Sequence, residues 1–169
     1  MGILSSFRKQ RAKRRIAQDD RGWRGSARKK TLEAERNLPP RPLSPDEHEL
    51  LRWILEHGSE AAKTFLPQAE GVRAVRSCIC GCPSIRLVVR DGVPLGVSQS
   101  GRVISDLWGR TEKGELVGVL LFQDDGIICE LEAYSMDGEV QDDGNEYEFP
   151  TIQSLRELEA GEPPAPNHS

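Results

Sequence analysis

Leu50, Leu51, Ile54 and Leu55 recur at i, i+1, i+4 and i+5 and draw one apolar stripe along a helix. Polar residues ahead of it mark the start: Ser44 as N-cap, Pro45 in the first helical position, Glu47 closing a capping box. Gly58 supplies the stop. Ser59 opens a shorter helix through Ala61 and Ala62, with Phe65 and Leu66 as anchors and Pro67 as its end. The period then falls from 3.6 to 2. Residues 72–79 and 84–90 read as strands, the second alternating Ile85, Leu87 and Val89 against Arg86, Val88 and Arg90, with a turn at Asp91-Gly92. Residues 93–97 and 102–108 are weaker strand candidates, because Pro94 and Gly96 interrupt the pattern. Residues 111–114 turn the chain into its best strands, 115–123 and 127–135, which meet at Asp124-Asp125-Gly126.

A two-residue type I′ turn at Asp125-Gly126 pairs Asp124 with Ile127. Regular pairing then places Phe122 opposite Cys129, Leu120 opposite Leu131 and Gly118 opposite Ala133, on one apolar face. Glu130 and Glu132 fall on the other face with Val119 and Leu121. Beyond a turn at 136–138, residues 139–149 are acidic and partly extended, and 151–158 fit a last short helix carrying Ile152, Leu155 and Leu158. Helices, then strands, then a helix predict an α+β fold: an N-terminal helix pair packed on a mainly antiparallel curved sheet, with a short C-terminal helix. Pro39-Pro40-Arg41-Pro42 marks a boundary. It separates a disordered basic arm, 1–40, from a single domain, 41–160, which a disordered tail, 161–169, follows.

Charge sharpens that division. The net charge is −4 over 169 residues. Residues 1–42 hold 13 Lys/Arg against 4 Asp/Glu, and residues 43–169 hold 10 against 23. In the arm, Ile3, Leu4, Phe7 and Ile16 give a weak amphipathic start among Arg8, Lys9, Arg11, Lys13, Arg14 and Arg15, a pattern suited to an anionic membrane or to nucleic-acid phosphates. Met1-Gly2-Ile3-Leu4-Ser5-Ser6 also fits the eukaryotic myristoylation pattern. Trp23, between Arg21 and Arg24, is a single aromatic and makes no stacking platform. No apolar signal region precedes the cysteines, so a cytoplasmic protein with reduced thiols is expected.

Three cysteines in five residues, Cys78, Cys80 and Cys82, invite a metal reading. Alternate positions in a strand stand nearly 7 Å apart and do not converge on a tetrahedral ion, so no metal and no cofactor is expected. A bend at Gly81 and Pro83 keeps a Cys78, Cys80, Cys82 site as the alternative. His48 and His57 are nine residues apart on one predicted helix and face opposite ways. Glu130 and Glu132 share a strand face, which suits acid–base chemistry or plain solvation. From 124 to 148 there are ten acidic residues and no Lys or Arg, a field that steers basic partners.

Three stretches also carry a likeness: Arg41-Pro-Leu-Ser-Pro-Asp-Glu47 before Leu50-Leu51, Cys80-Gly-Cys-Pro-Ser84, and Gly118-Val-Leu-Leu-Phe-Gln123 followed by Leu131-Glu132. Over about 41–158 the chain resembles a family of short uncharacterised bacterial proteins. The resemblance implies no catalytic residues, and small acidic immunity proteins that neutralise toxins are an analogy of build alone. The expected function is a non-catalytic module binding a basic protein partner through Glu130, Glu132, Tyr134, Asp137, Asp142 and Asp143. The alternatives are an adaptor tethered to nucleic acid or an anionic membrane by its basic arm, and a small enzyme using Glu130 and Glu132.

Overall fold

The computed structural model describes residues 34, 37–77, 81–97, 101–136 and 147–157. The helix at Pro45–His57 starts where the capping pattern places it. Ser44 Oγ accepts from Glu47 N at 3.2 Å while Glu47 Oε2 accepts from Ser44 N at 2.7 Å, and this reciprocal pair opens α1 (Pro45–His57). Arg41 grips the same carboxylate through two bonds of 2.7 Å. Gly58 N donates to Ile54 O at 3.1 Å and closes the helix. Ser59 caps α2 (Glu60–Lys63) through the Ala62 N–H. Pro67 does not end that helix. It sits in the first turn of a further one, α3 (Leu66–Ala69), where its missing N–H removes no helical bond. The expected pair is therefore three segments.

The strands are β1 (Arg41–Pro42), β2 (Arg73–Arg76), β3 (Ile85–Val88), β4 (Val103–Arg110), β5 (Leu116–Asp124), β6 (Ile127–Ser135) and β7 (Arg156–Glu157). They form one sheet in the order β1-β2-β3-β6-β5-β4-β7, with every neighbouring pair antiparallel. The chain is α+β with an antiparallel sheet, as its pattern predicts. Two smaller expectations fail. Residues 93–97 form no strand: Pro94 has no N–H to give, and Gly96 lies so close to the Phe65 ring that a β-carbon would overlap it. In place of a helix over 151–158 there is a single 3₁₀ turn, Ile152–Ser154, followed by β7. Ser154 Oγ accepts from Arg110 N at 2.8 Å and holds that turn against β4.

The hairpin turn is as expected and the pairing beyond it is not. Asp125 and Gly126 have φ of 49° and 81°, and Asp124 pairs with Ile127. Gln123 then pairs with Ile128, but Phe122 pairs with Glu130, which leaves Cys129 as an inserted bulge residue. One extra residue moves every later partner by one. Leu120 faces Glu132 and Gly118 faces Tyr134, while Leu121 meets Leu131 and Val119 meets Ala133. Val119 and Leu121, expected to face outward, are fully buried in the core.

That core joins Leu50, Leu51, Ile54, Leu55, Phe65 and Ala69 of the helical part to Leu107, Val119, Leu121, Ile128 and Leu131 of the sheet. Buried Gln68 stitches its far end. Its Nε2 donates to Gly126 O at 2.7 Å and to Pro94 O at 3.0 Å, and its Oε1 accepts from Ile128 N at 2.9 Å. Both polar atoms of the amide are thus satisfied by three bonds, those to Gly126 and Ile128 away from water.

Candidate binding surface

Alternation along β6 after the bulge sends Glu130, Glu132 and Tyr134 to the face opposite the helix-covered core. Register adds their neighbours. The row Trp108–Gly118–Tyr134 crosses β4, β5 and β6, and the next row is Asp106–Leu120–Glu132. A third holds Phe122, Glu130 and Arg86. The missing side chain of Gly118 is a geometric need: a β-carbon there would collide with the Tyr134 ring. Tyr134 therefore lies down across β5 rather than standing away from it. The result is an aromatic and aliphatic floor with three carboxylates set into it.

These carboxylates are anchored. Ser77 Oγ donates to Glu130 Oε1, and Arg86 stands directly opposite Glu130 in the β3–β6 ladder. None of Asp106, Glu130, Glu132 and Tyr134 is free. Leu116 and Leu120 also project to this face by alternation, yet they are only 2% and 4% exposed and stand outside the main core cluster. The run Leu116 to Leu121 is buried at every position. A strand apolar at consecutive positions is one that both of its faces hide from water.

A second concavity lies at the β1–β2 end of the sheet. It is a groove of ≈ 1020 Å³ between the first half of α1, strands β2 and β3, and residues 147–153. Cys82, Ser84 and Tyr147 meet there. Ser84 Oγ accepts from Ala133 N at 3.0 Å and donates to Ala133 O at 3.2 Å, so a side chain extends the β3–β6 ladder where the strand pairing stops. The Tyr147 hydroxyl donates to the same carbonyl at 3.0 Å. Burial pushes both the Cys82 thiol and the Tyr147 phenol up from their ordinary values. At neutral pH both are protonated, so the cluster offers hydrogen bonds rather than a thiolate nucleophile. Burial would also raise Glu47, but the Arg41 guanidinium and the Ser44 amide outweigh it and hold the carboxyl below its usual range.

Among the described residues no group of three His, Cys, Asp or Glu side chains is placed to hold a metal ion. Cys82 is buried with its Sγ donating to Ser84 Oγ at 3.3 Å, while Cys78 and Cys80 lie outside the described residues. So do Asp137, Asp142 and Asp143, together with Arg8, Lys9, Arg11, Lys13, Arg14 and Arg15. Of the six expected partner-binding residues the structure brings together Glu130, Glu132 and Tyr134. It adds Trp108, Asp106, Leu120 and the Gly118 notch, which the linear pattern did not single out. The legible signal was the unbroken apolar run of β5, whose second face had to meet something. Among the described residues no helix is long and apolar enough to cross a membrane. No protein-family model, curated protein or solved structure matches the chain.

Proposed function

We propose that the chain is a protein-binding module whose outer sheet face engages a basic, amphipathic segment. The helices act as a backing layer on the other side, and the curved sheet presents the contact. One observation carries this reading: Asp106 and Glu132 lie in the row next to Trp108, Gly118 and Tyr134, and Glu130 in the row beyond, all on a single face. Carboxylates attract Lys and Arg over a Debye length of about 8–10 Å at ordinary ionic strength, which favours rapid encounter. The aromatic floor then supplies the desolvated anchor that charge alone does not. Rigid rings on a sheet lose little rotamer freedom on binding.

The same carboxylates read less well as catalysts. Glu130 is committed to the Ser77 hydroxyl, and the buried thiol and phenol of the groove are held protonated. An immunity-like role, neutralising a basic protein in the cytoplasm, is compatible with this face and is the finer form of the proposal.

The test compares full-length chain with a Glu130→Gln/Glu132→Gln variant. Partners are captured from the source cell, and association rates with the recovered partner are followed against ionic strength. A basic partner that associates several-fold more slowly with the variant, and with a shallower salt slope, supports the reading. Equal rates and equal slopes for both proteins would sink it.

A further inference from the structure

We infer that residues 1–33 of the same chain occupy this outer face, so that an external basic partner has to displace a built-in competitor. The inference rests on the reading of the face as a basic-segment site and names its resident occupant. Three observations support it.

The first is burial. Leu116 and Leu120 are 2% and 4% exposed on a side of the sheet where no described helix belongs to the core cluster. The apolar run of β5 is that of a strand covered on both sides. A two-layer fold needs some element over that surface.

The second is charge. Residues 1–33 contain 11 Lys/Arg and 3 Asp/Glu. Their apolar residues Ile3, Leu4 and Phe7 follow an i, i+1, i+4 spacing, one helical turn of apolar stripe, and Arg8, Lys9, Arg11, Lys13, Arg14 and Arg15 come directly after it. Such a segment sets side chains on the Trp108–Tyr134 floor and cations beside Glu130, Glu132 and Asp106. The acidic stretch 137–146 has five Asp/Glu and no Lys or Arg, and like charges would repel it from the same carboxylates. A second copy of the sheet face would bring those carboxylates against each other.

The third is reach. The described chain begins beside β1, with Arg73 donating to Pro40 O at 2.6 and 2.8 Å, and β5 lies four strands further along the sheet order. Four inter-strand steps cover roughly 19 Å. Thirty-three residues span about 50 Å even if wholly helical. The arm reaches without strain. Tethering also works in its favour, because a short linker gives an effective concentration of about 1 mM. An arm that binds the face only at about 0.1 mM in trans would still close it about ten times more often than not in cis.

The experiment uses full-length protein and one synthetic probe, a peptide of residues 1–20. Its partner is a full-length variant with Arg8, Lys9, Arg11, Lys13, Arg14 and Arg15 all changed to Gln. Carbodiimide coupling of the unmodified chain should link Lys9 or Lys13 to Glu130 or Glu132 within monomers. The peptide should bind the Gln variant about tenfold more tightly than the unmodified chain, with amide shifts at Trp108, Gly118 and Tyr134. Equal binding to both proteins at that face would overturn the resident arm and leave the face reading intact. Binding to neither would overturn both. Links found only between chains, or only to residues 137–148, would also overturn the inference.

Discussion

The Tyr134 ring lies across the backbone of Gly118 in the space that a β-carbon there would need. The two residues face each other in the β5–β6 ladder, with Trp108 continuing the row on β4. Gly in a strand interior is costly by roughly 0.5–1 kcal/mol, and here it is kept for a contact. Gly118→Ala should therefore destabilise by about 1–3 kcal/mol, because overpacking pushes Tyr134 off its seat. In a Tyr134→Ala background the same change should be neutral or slightly stabilising. Urea midpoints for the two single variants and the double variant measure this coupling. Strictly additive effects would mean that the ring does not depend on the notch.

Gln68 should be the most sensitive polar residue of the core. Gln68→Leu keeps the approximate volume but strands the buried Ile128 N–H, which loses its bond of 2.9 Å. Gly126 O keeps a second donor in Gly96 N at 2.9 Å, and Pro94 is exposed enough for water to replace the amide. One buried donor is thus orphaned rather than three groups, which places the cost at about 2–4 kcal/mol. A drop in urea midpoint without a change of slope would match that size. A neutral Gln68→Leu would show that the strap at 93–97 is held by its other contacts: Gly96 against Phe65, Gly96 N to Gly126 O and Val97 N to Thr64 Oγ1.

Titration should erode stability at both ends of the pH scale, through different groups. Glu47 is held below its ordinary value of 4.5, so the unfolded chain takes up its proton first as the solution is acidified. Its contribution is complete above about pH 4.5 and declines as pH falls through the lower folded value. Cys82 is shifted the other way by burial, from an ordinary value of 9.0. Its contribution is complete below 9 and declines above it, because the unfolded thiol ionises while the folded one does not. Tyr147 acts in the same direction at higher pH. Melting temperature against pH should show an acid limb that Glu47→Gln flattens and an alkaline limb that Cys82→Ala flattens. Limbs unchanged by those variants would assign the losses to other groups.

Much of this molecule was legible because its local signals agree with its packing. Ser44, Pro45, Glu47 and Gly58 bound a helix whose stripe of Leu50, Leu51, Ile54 and Leu55 is the core face, and Asp125-Gly126 fixes the turn of the best hairpin. Pro67 misled because a proline that ends one helix and one that begins the next look alike in sequence. The facing of β5 and β6 misled for a different reason. A bulge has no strict residue signature, and Cys129 alternates as plausibly within a regular strand as outside one. From that single residue onward, the expected apolar partners of Gly118, Leu120 and Phe122 became Tyr134, Glu132 and Glu130. The candidate surface is in this sense a product of the bulge: it places the carboxylates over Leu120 and Phe122 instead of behind Val119 and Leu121.

The bulge yields the sharpest prediction, since deletion and substitution separate its two roles. Ile128 pairs with Gln123 and Glu130 pairs with Phe122, so Cys129 has no partner of its own in the β5–β6 ladder. Removing it joins Ile128 directly to Glu130 and restores regular alternation. Ile128 and Leu131 stay in the core, and Glu130 and Glu132 stay on the outer face. Deleting Glu132 instead would turn Ala133 outward and drive Tyr134 into the core layer, reversing the inner and outer sets beyond that point. Deletion of Cys129 should therefore leave a cooperatively folded protein, weakened by about 0.5–3 kcal/mol through lost local twist and strain at the Gln68 bond. Deletion of Glu132 should abolish cooperative unfolding. Thermal melts followed by near-ultraviolet circular dichroism of the two deletants distinguish the cases, because Trp108 and Tyr134 report the outer face directly. Equal damage from both deletions would mean that the bend at Cys129, and not merely its extra residue, holds β6 against β3.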